Sequence, residues 1–225
     1  MGIFLTIVIS PSIIRWVPFS APEASYQAWE DILSHPQPIT VRTYSTGVNQ
    51  TTRAGIMNLE HEKAQNIADE VIDIPVNVFL VQHQDFGASL IDAGLDRSYV
   101  HSPHGTMKGL MVQSYLAKGR QEPNTHIAAI LEQEQVQLQG VWLTHLHMDH
   151  TAGIVDLPKD IPYVAGKGER YVNFRFFMQS EHLAGVEKLY EIDFAAGLAA
   201  LPADTAESDR RRTLEMQHVA RDGQR

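Results

Sequence analysis

Four side chains that can bind a metal ion crowd into six consecutive positions of this chain. They are His145, His147, Asp149 and His150. They lie in the stretch LTHLHMDHTAG, residues 143–153, directly after an apolar run that we interpret as a strand. Because alternate side chains of an extended segment point to the same side, we expect His145 and His147 on one side and Leu146 on the other. Burying four such groups unpaired would cost several kcal/mol, so the pattern predicts a metal site.

The composition limits what can hold that metal and what the protein can bind. The chain has no cysteine, 11 histidines and 27 acidic residues, and its formal net charge is −9. Without thiolates, a metal must be held by imidazole and carboxylate, which are the ligands typical of a catalytic zinc site. The acidic balance argues against a nucleic-acid partner, because such proteins need a basic surface. We therefore expect no nucleic-acid partner.

Alternating strand and helix patterns around the motif predict an α/β fold. We predict strands over 38–47, 139–144 and 161–166, and a β-hairpin over 74–94. We predict helices over 22–35, 107–118, 124–137 and 168–185. In this arrangement the strand before the motif carries its histidines to one rim of a sheet.

The two ends of the chain differ in composition from the middle. Residues 1–21 are apolar but are interrupted by Pro11 and Arg15, so we interpret them as a leader or a degenerate signal or anchor segment. Residues 22–203 form the predicted domain, and residues 204–225 form a charged tail. Cytoplasmic and exported locations both stay open, as does association with a membrane.

The motif and the hairpin resemble those of the metallo-β-lactamase superfamily. His-Leu-His-Met-Asp-His at 145–150 is similar to the HxHxDH signature of that family, and the neighbouring Thr144 and Gly153 fit the same pattern. The hairpin VFLVQHQDFGASLIDAG looks like the early strand pair of the family. The resemblance extends over residues 74–202. It implies a four-layer αβ/βα sandwich with two zinc ions at one edge of its sheets.

The resemblance also implies a role for each residue of the motif. His145 and His147 would bind the first zinc ion, while Asp149 and His150 would bind the second. Asp149 would also act in catalysis by orienting a metal-activated water or moving its proton. Asp92 would orient one of the metal-binding residues without itself binding the metal. A role limited to binding backbone amides is equally compatible with its position.

The resemblance implies a small-molecule substrate, and the chemistry that it implies is hydrolysis of a small carbonyl compound. Histidine at position 147 favours a hydrolase over the redox di-iron branch of the superfamily, which would have glutamate there. The segment 74–169 looks most similar to lactonases of the N-acyl homoserine lactone type. β-Lactamases and glyoxalase II-like thioester hydrolases share the metal motif and remain alternatives.

The later ligands of the family are not recognisable in this sequence. The resemblance implies a third histidine in a Gly-His-Thr-like turn, but only His182 and His218 follow His150. We expect His182 on the surface of a helix, and His218 lies outside any such turn. Whether either replaces the third ligand stays open. The sequence thus also allows a catalytically inactive, truncated domain with partial metal binding, or a homo-oligomer that covers exposed apolar surface.

Overall fold

A computed structural model describes residues 14–20, 29–170 and 177–194 of the chain. These residues divide into two compact units. The larger unit contains 14–20, 37–49, 74–170 and 177–192, and the smaller unit contains 29–36, 50–73 and 193–194. The boundaries predicted at 21 and 203 are not tested by this division and stay predictions.

One mixed sheet of eight strands forms the framework of the described residues, which confirms the predicted α/β class. Its strands are β1 (Arg15–Pro18), β2 (Ile39–Thr52), β3 (Val71–His83), β4 (Gly87–Ile91), β5 (Lys118–Arg120), β6 (Leu138–Leu143), β7 (Tyr163–Gly166) and β8 (Lys188–Ile192). They lie in the order β1-β8-β7-β6-β4-β3-β2-β5. Strands β4, β6, β7, β8 and β1 run parallel to one another, and β3 pairs antiparallel with β4.

Four short helices accompany the sheet in the described part of the chain. They are α1 (Trp29–Ser34), α2 (Val112–Tyr115), α3 (Ile127–Glu134) and α4 (Met148–Thr151). Helix α3 connects β5 to β6 and presents Ile127, Ile130 and Leu131 to the core, as its apolar periodicity predicts. None of the described helices is long and apolar enough to cross a membrane.

The core of the larger unit lies where alternate strand residues meet the apolar face of α3. Val78 and Leu80 of β3, Leu90 of β4 and Val141 of β6 are all fully buried. The β3–β4 turn at Gly87 adopts a positive φ of 75°, a conformation that glycine tolerates well. The hairpin predicted over 74–94 is therefore confirmed, and it brings the end of β4 beside the end of β6.

The smaller unit is held by polar contacts around residues 53–70. Arg53 pairs with the Glu70 carboxylate and also donates to the Ala68 carbonyl oxygen at 2.9 Å. The Asp69 carboxylate accepts from the Ala54 N–H at 2.9 Å. These contacts hold residues 53–54 next to residues 68–70, the two ends of the segment 53–70.

Two of the predicted helices are wrong in the described residues. Residues 107–118 contain only α2, because the Lys108 backbone instead pairs with Gln179 in an antiparallel bridge. That bridge also leaves no helix over 177–185, although 168–185 was predicted as one. Residues 171–176 of this prediction lie outside the described residues. A helical periodicity in short segments was thus overridden by pairing between distant parts of the chain.

The sheet also contains strands, and strand residues, that the sequence did not predict. Strand β2 does not close at Gly47 but continues to Thr52. Gly47 allows the close approach of β5, because a Cβ at this position would lie 2.5 Å from the Arg120 carbonyl oxygen. Strands β5 and β8 were not predicted. Strand β1 lies within the predicted leader and pairs in parallel with β8.

Candidate metal centre

The predicted metal motif lies at the carboxyl end of β6, in the middle of the parallel part of the sheet. Strand β6 ends at Leu143, and α4 begins at Met148. The backbone between them is extended at His147, with φ −69° and ψ 158°. The intervening Leu146 is only 6% exposed and packs in the core. As predicted, the extended segment buries its apolar side chain and leaves the histidines on the rim.

All four predicted ligands lie close together in the structure. The His145 Nε2 atom is 3.0 Å from His147 Nδ1, and the His145 and His150 ring centroids are 3.9 Å apart. The Asp149 carboxylate lies 3.5 Å from His150 Nε2. Three imidazoles and one carboxylate therefore share one small region at the end of the strand.

Asp92 joins this cluster from the end of the neighbouring strand β4. Its Oδ2 atom lies 2.8 Å from His150 Nδ1, and its Oδ1 atom accepts from the Thr144 N–H at 2.8 Å. The residue is 3% exposed and adopts φ 61°, a left-handed conformation that aspartate tolerates better than most residues. Asp92 thus makes both of the contacts that its sequence position suggested, one to the backbone and one to a histidine of the motif.

The charges in the cluster favour a positive charge between its two aspartates. Burial lowers the pKa of His150, but hydrogen bonds to Asp149 and Asp92 outweigh this and raise that pKa to about 9. Burial raises the pKa of Asp149, but its hydrogen bond with His150 more than compensates, and the net pKa is lowered. The pKa of His145 is lowered by burial and by the neighbouring His150 and His147.

The imidazole and carboxylate donors of the cluster are chemically suited to a divalent cation. In this structure, however, these side chains contact one another instead of surrounding a common centre. In residues 14–20, 29–170 and 177–194, no three His, Asp or Glu side chains are arranged to hold a metal ion. The fit rests on the donor chemistry. His150 carries a carboxylate, Asp92, on Nδ1 and directs Nε2 toward Asp149, as metal-binding histidines do when a carboxylate orients them.

A further carboxylate next to the motif was not found from the sequence. Glu169 Oε2 accepts from the Leu146 N–H at 3.4 Å, between the two histidines that flank Leu146. Glu169 follows β7, the parallel neighbour of β6. Its position just beyond the carboxyl end of a strand was the signal that could have identified it, because parallel strands place these ends along one edge.

The later histidines do not join the cluster in the described residues. His182 is fully buried, so the predicted surface position is wrong; its Nδ1 atom lies 3.1 Å from the Thr151 hydroxyl oxygen. His218 lies outside the described residues, and its role stays open. His104 is also buried, with its Nδ1 atom 3.3 Å from the Ala117 carbonyl oxygen, whereas a polar loop predicts a solvated ring.

Comparison with known proteins identifies the family of the chain. The family model of the Metallo-beta-lactamase superfamily matches residues 71–205, which is more than half of the chain. The mixed sheet with few helices matches the α/β sandwich of that family. No curated protein matches the chain.

Two solved structures share the fold over part of their length. One is a variant of AiiA from B. thuringiensis with N-decanoyl-L-homoserine bound at its active site, with 16% identity and a TM-score of 0.50. The other is an N-acyl homoserine lactone hydrolase with N-hexanoyl-L-homoserine at its catalytic metal centre, with 17% identity and a TM-score of 0.51. In both cases the alignment covers 68% of this chain and 58% of the other.

Proposed function

The chain belongs to the metallo-β-lactamase superfamily, and from this we propose that it is a metal-dependent hydrolase of lactones, esters or similar small carbonyl compounds. The observation that carries the proposal is the cluster at the end of β6. There His145, His147, Asp149 and His150 lie together, and Asp92 orients His150. The proposed metal is zinc, because imidazole and carboxylate without thiolate are typical of catalytic zinc sites.

The residues of the cluster would divide the work between binding and proton transfer. His145 and His147 would hold one cation, and Asp149 and His150 a second one. When bound, such cations supply a water whose pKa is low enough for hydroxide to form near neutral pH, and they polarise a carbonyl oxygen. Asp149, which is ionised and partly exposed, would orient that water and accept its proton. Asp92 would keep His150 Nε2 directed toward the site.

The proposed substrate class rests on the fold and on the charge of the chain. The two structures described above contain homoserine products, and a small lactone fits the same hydrolytic chemistry. The net charge of −9 does not favour polyanionic substrates such as nucleic acids. The proposed chemistry requires neither a homo-oligomer nor a particular cellular location. It requires a divalent cation, but that cation need not be zinc.

A non-catalytic metal-binding protein is the second candidate function, and one observation favours it. The described histidine that follows the motif, His182, bonds to Thr151 and to none of the motif's side chains in the described residues. The first cation would then have only His145 and His147 from the motif, whereas catalytic zinc sites usually have three protein ligands. Such a protein would bind metal weakly and would not hydrolyse lactones.

Metal content and lactone hydrolysis, measured together, separate these candidates. The full chain is purified with zinc in the growth medium, and bound zinc is measured by mass spectrometry before and after dialysis. Hydrolysis of N-hexanoyl homoserine lactone is followed by the acid that it releases. The enzyme predicts about two zinc ions per chain and turnover that a chelator abolishes. The metal-binding protein predicts less than one zinc ion and no turnover.

Two variants make the measurement specific to the cluster. His147→Ala is expected to lose at least half of the bound zinc and the turnover. His61→Ala is the matched control, because His61 is exposed and belongs to the smaller unit. Zinc that is retained in full by His147→Ala would contradict both candidates, since both place the metal at the motif.

A further inference from the structure

His182 forms a buried polar pair with Thr151, the residue that directly follows the metal motif. His182 is fully buried, and its Nδ1 atom lies 3.1 Å from Thr151 Oγ1. The other ring nitrogen, Nε2, is also buried and has no hydrogen-bond partner among the described residues. Thr151 itself is fully buried at the end of α4. A buried polar pair of this kind needs a physical explanation, because each group lost its hydration on folding.

The hydrogen-bond pattern assigns one tautomer to His182. The Thr151 hydroxyl has a single hydrogen, which it donates to the His147 carbonyl oxygen at 3.1 Å. The same hydroxyl oxygen can therefore only accept from His182, so that Nδ1 carries the proton and Nε2 is bare. A neutral ring agrees with the surroundings, because burial lowers the pKa of His182 to about 4.

The hydrogen-bond chain ends at the backbone of a predicted metal ligand. The His147 carbonyl oxygen accepts from the His150 N–H and the Thr151 N–H, each at 3.1 Å, and from the Thr151 hydroxyl. These bonds define the turn at which the extended segment becomes α4. The direction of this carbonyl fixes the peptide plane that follows His147, and together with the extended ψ of 158° this plane sets the direction in which the side chain leaves the backbone.

The position of the pair differs from that of Asp92. Asp92 bonds to the ring of His150 directly, whereas the His182–Thr151 pair bonds to the backbone carbonyl of His147. The side chain of His147 is exposed, and the imidazole of His145 contacts it at Nδ1. The His182–Thr151 pair thus acts on His147 through its backbone and not through its side chain.

We propose that His182 and Thr151 are positioning residues that set the orientation of His147 for binding a divalent cation. This inference rests on the proposed function. It assigns His182 a role in the site without making it a ligand. Its consequence is that the loss of one buried hydroxyl weakens metal binding even though no ligand changes.

The test compares cobalt(II) binding by the full chain and by four variants. Cobalt(II) is titrated as the probe, and the visible absorption of the bound ion reports the ligand geometry. Thr151→Val removes the hydroxyl at nearly constant shape and is expected to weaken cobalt affinity about 10-fold and to alter the absorption bands. Thr151→Ser restores the hydroxyl and should bind within about twofold of the wild type. Thr125→Val is the control, because it removes a comparable threonine bond, to the Glu122 carbonyl, far from the motif in sequence.

The fourth variant tests His182 itself. His182→Asn places an amide N–H near the position of Nδ1 and should retain more affinity than Thr151→Val does. Two-bond ¹H–¹⁵N spectra of the wild type should show His182 protonated at Nδ1. Protonation at Nε2 instead would overturn the assigned hydrogen-bond direction and with it the inference.

The outcomes separate the inference from the function on which it rests. Equal cobalt affinity and identical absorption bands for the wild type and Thr151→Val would overturn the positioning role and leave the metal site intact. A wild-type chain that binds no cobalt would overturn the proposed function and the positioning role together. Thermal melting of every variant shows whether a loss of cobalt binding comes from a loss of fold; if Thr151→Val does not fold, His182→Asn and the ¹⁵N spectra decide the test.

Discussion

Replacing Asp92 should destabilise the fold as well as the site, because this carboxylate is buried and fully engaged. Asp92→Asn keeps an oxygen for the Thr144 N–H but loses the charge that faces His150 at 2.8 Å. We expect the free energy of unfolding to fall by about 2 kcal/mol, the typical value of a hydrogen bond to a charged group. Asparagine also tolerates the left-handed backbone at this position, so little strain is added.

Asp92→Ala should cost about twice as much. It also leaves the Thr144 N–H and hydroxyl without their acceptor, and because Thr144 is exposed to solvent this costs only about 1 kcal/mol. Alanine in a left-handed conformation adds about 1 kcal/mol. The expected total is about 4 kcal/mol, and zinc affinity should fall about 10- to 100-fold in both variants.

Urea unfolding followed by tryptophan fluorescence measures these differences. Trp142 lies in β6 and its carbonyl oxygen accepts from the Asp92 N–H at 2.8 Å, so its emission reports this part of the sheet. Asp85→Asn is the matched control, because Asp85 is exposed in the β3–β4 turn and should change stability by less than about 0.5 kcal/mol. If Asp92→Ala also unfolds within about 0.5 kcal/mol of the wild type, the reasoning about this buried network is wrong.

Three further predictions concern the packing around the site. Gly153→Ala should destabilise the fold by about 2–4 kcal/mol, since its Cβ would lie 2.1 Å from the Ala93 carbonyl oxygen; an unchanged melting temperature would contradict this close packing. Leu90→Ala should cost about 2–5 kcal/mol in urea unfolding, because Leu90 is fully buried in the core, and a cost near zero would place it outside the core. Stability should decline as the pH falls from 6.5 toward 4, because in that range the unfolded chain protonates His182 while the folded chain, with a pKa of about 4, keeps it neutral. The loss reaches about 3 kcal/mol at pH 4, and urea titrations of His182→Asn should lack this part of the pH dependence.

Local patterns in the sequence were sufficient to predict the motif and its surroundings. The apolar run before His145 is a strand, and the alternation after it buries Leu146 while leaving the histidines on the rim. The β3–β4 hairpin and α3 were predicted for the same reason, because each carries its own periodicity and turn signals within a short segment. These features depend on residues that are neighbours in the chain.

Contacts between distant segments decided the rest. Lys108 and Gln179 pair across the chain, and this pairing replaced helix in two segments whose local pattern favours it. Asp92 and His150 are 58 positions apart, yet their contact at 2.8 Å depends on the parallel pairing of β4 with β6. The apolar pattern of a strand indicates which of its faces is buried. It does not identify the neighbouring strand, because every strand of the sheet buries apolar surface in the same way.

The burial of His182 shows most clearly what the tertiary structure added. In the sequence it is one histidine among polar residues, and its surroundings there suggest an exposed position. In the folded chain it is fully buried and bonds to Thr151, 31 positions earlier. The sequence alone determined which groups can bind a metal and that they lie together at the end of a strand. Only the tertiary structure determined which buried groups hold them in place, because those groups come from segments that meet when the sheet forms.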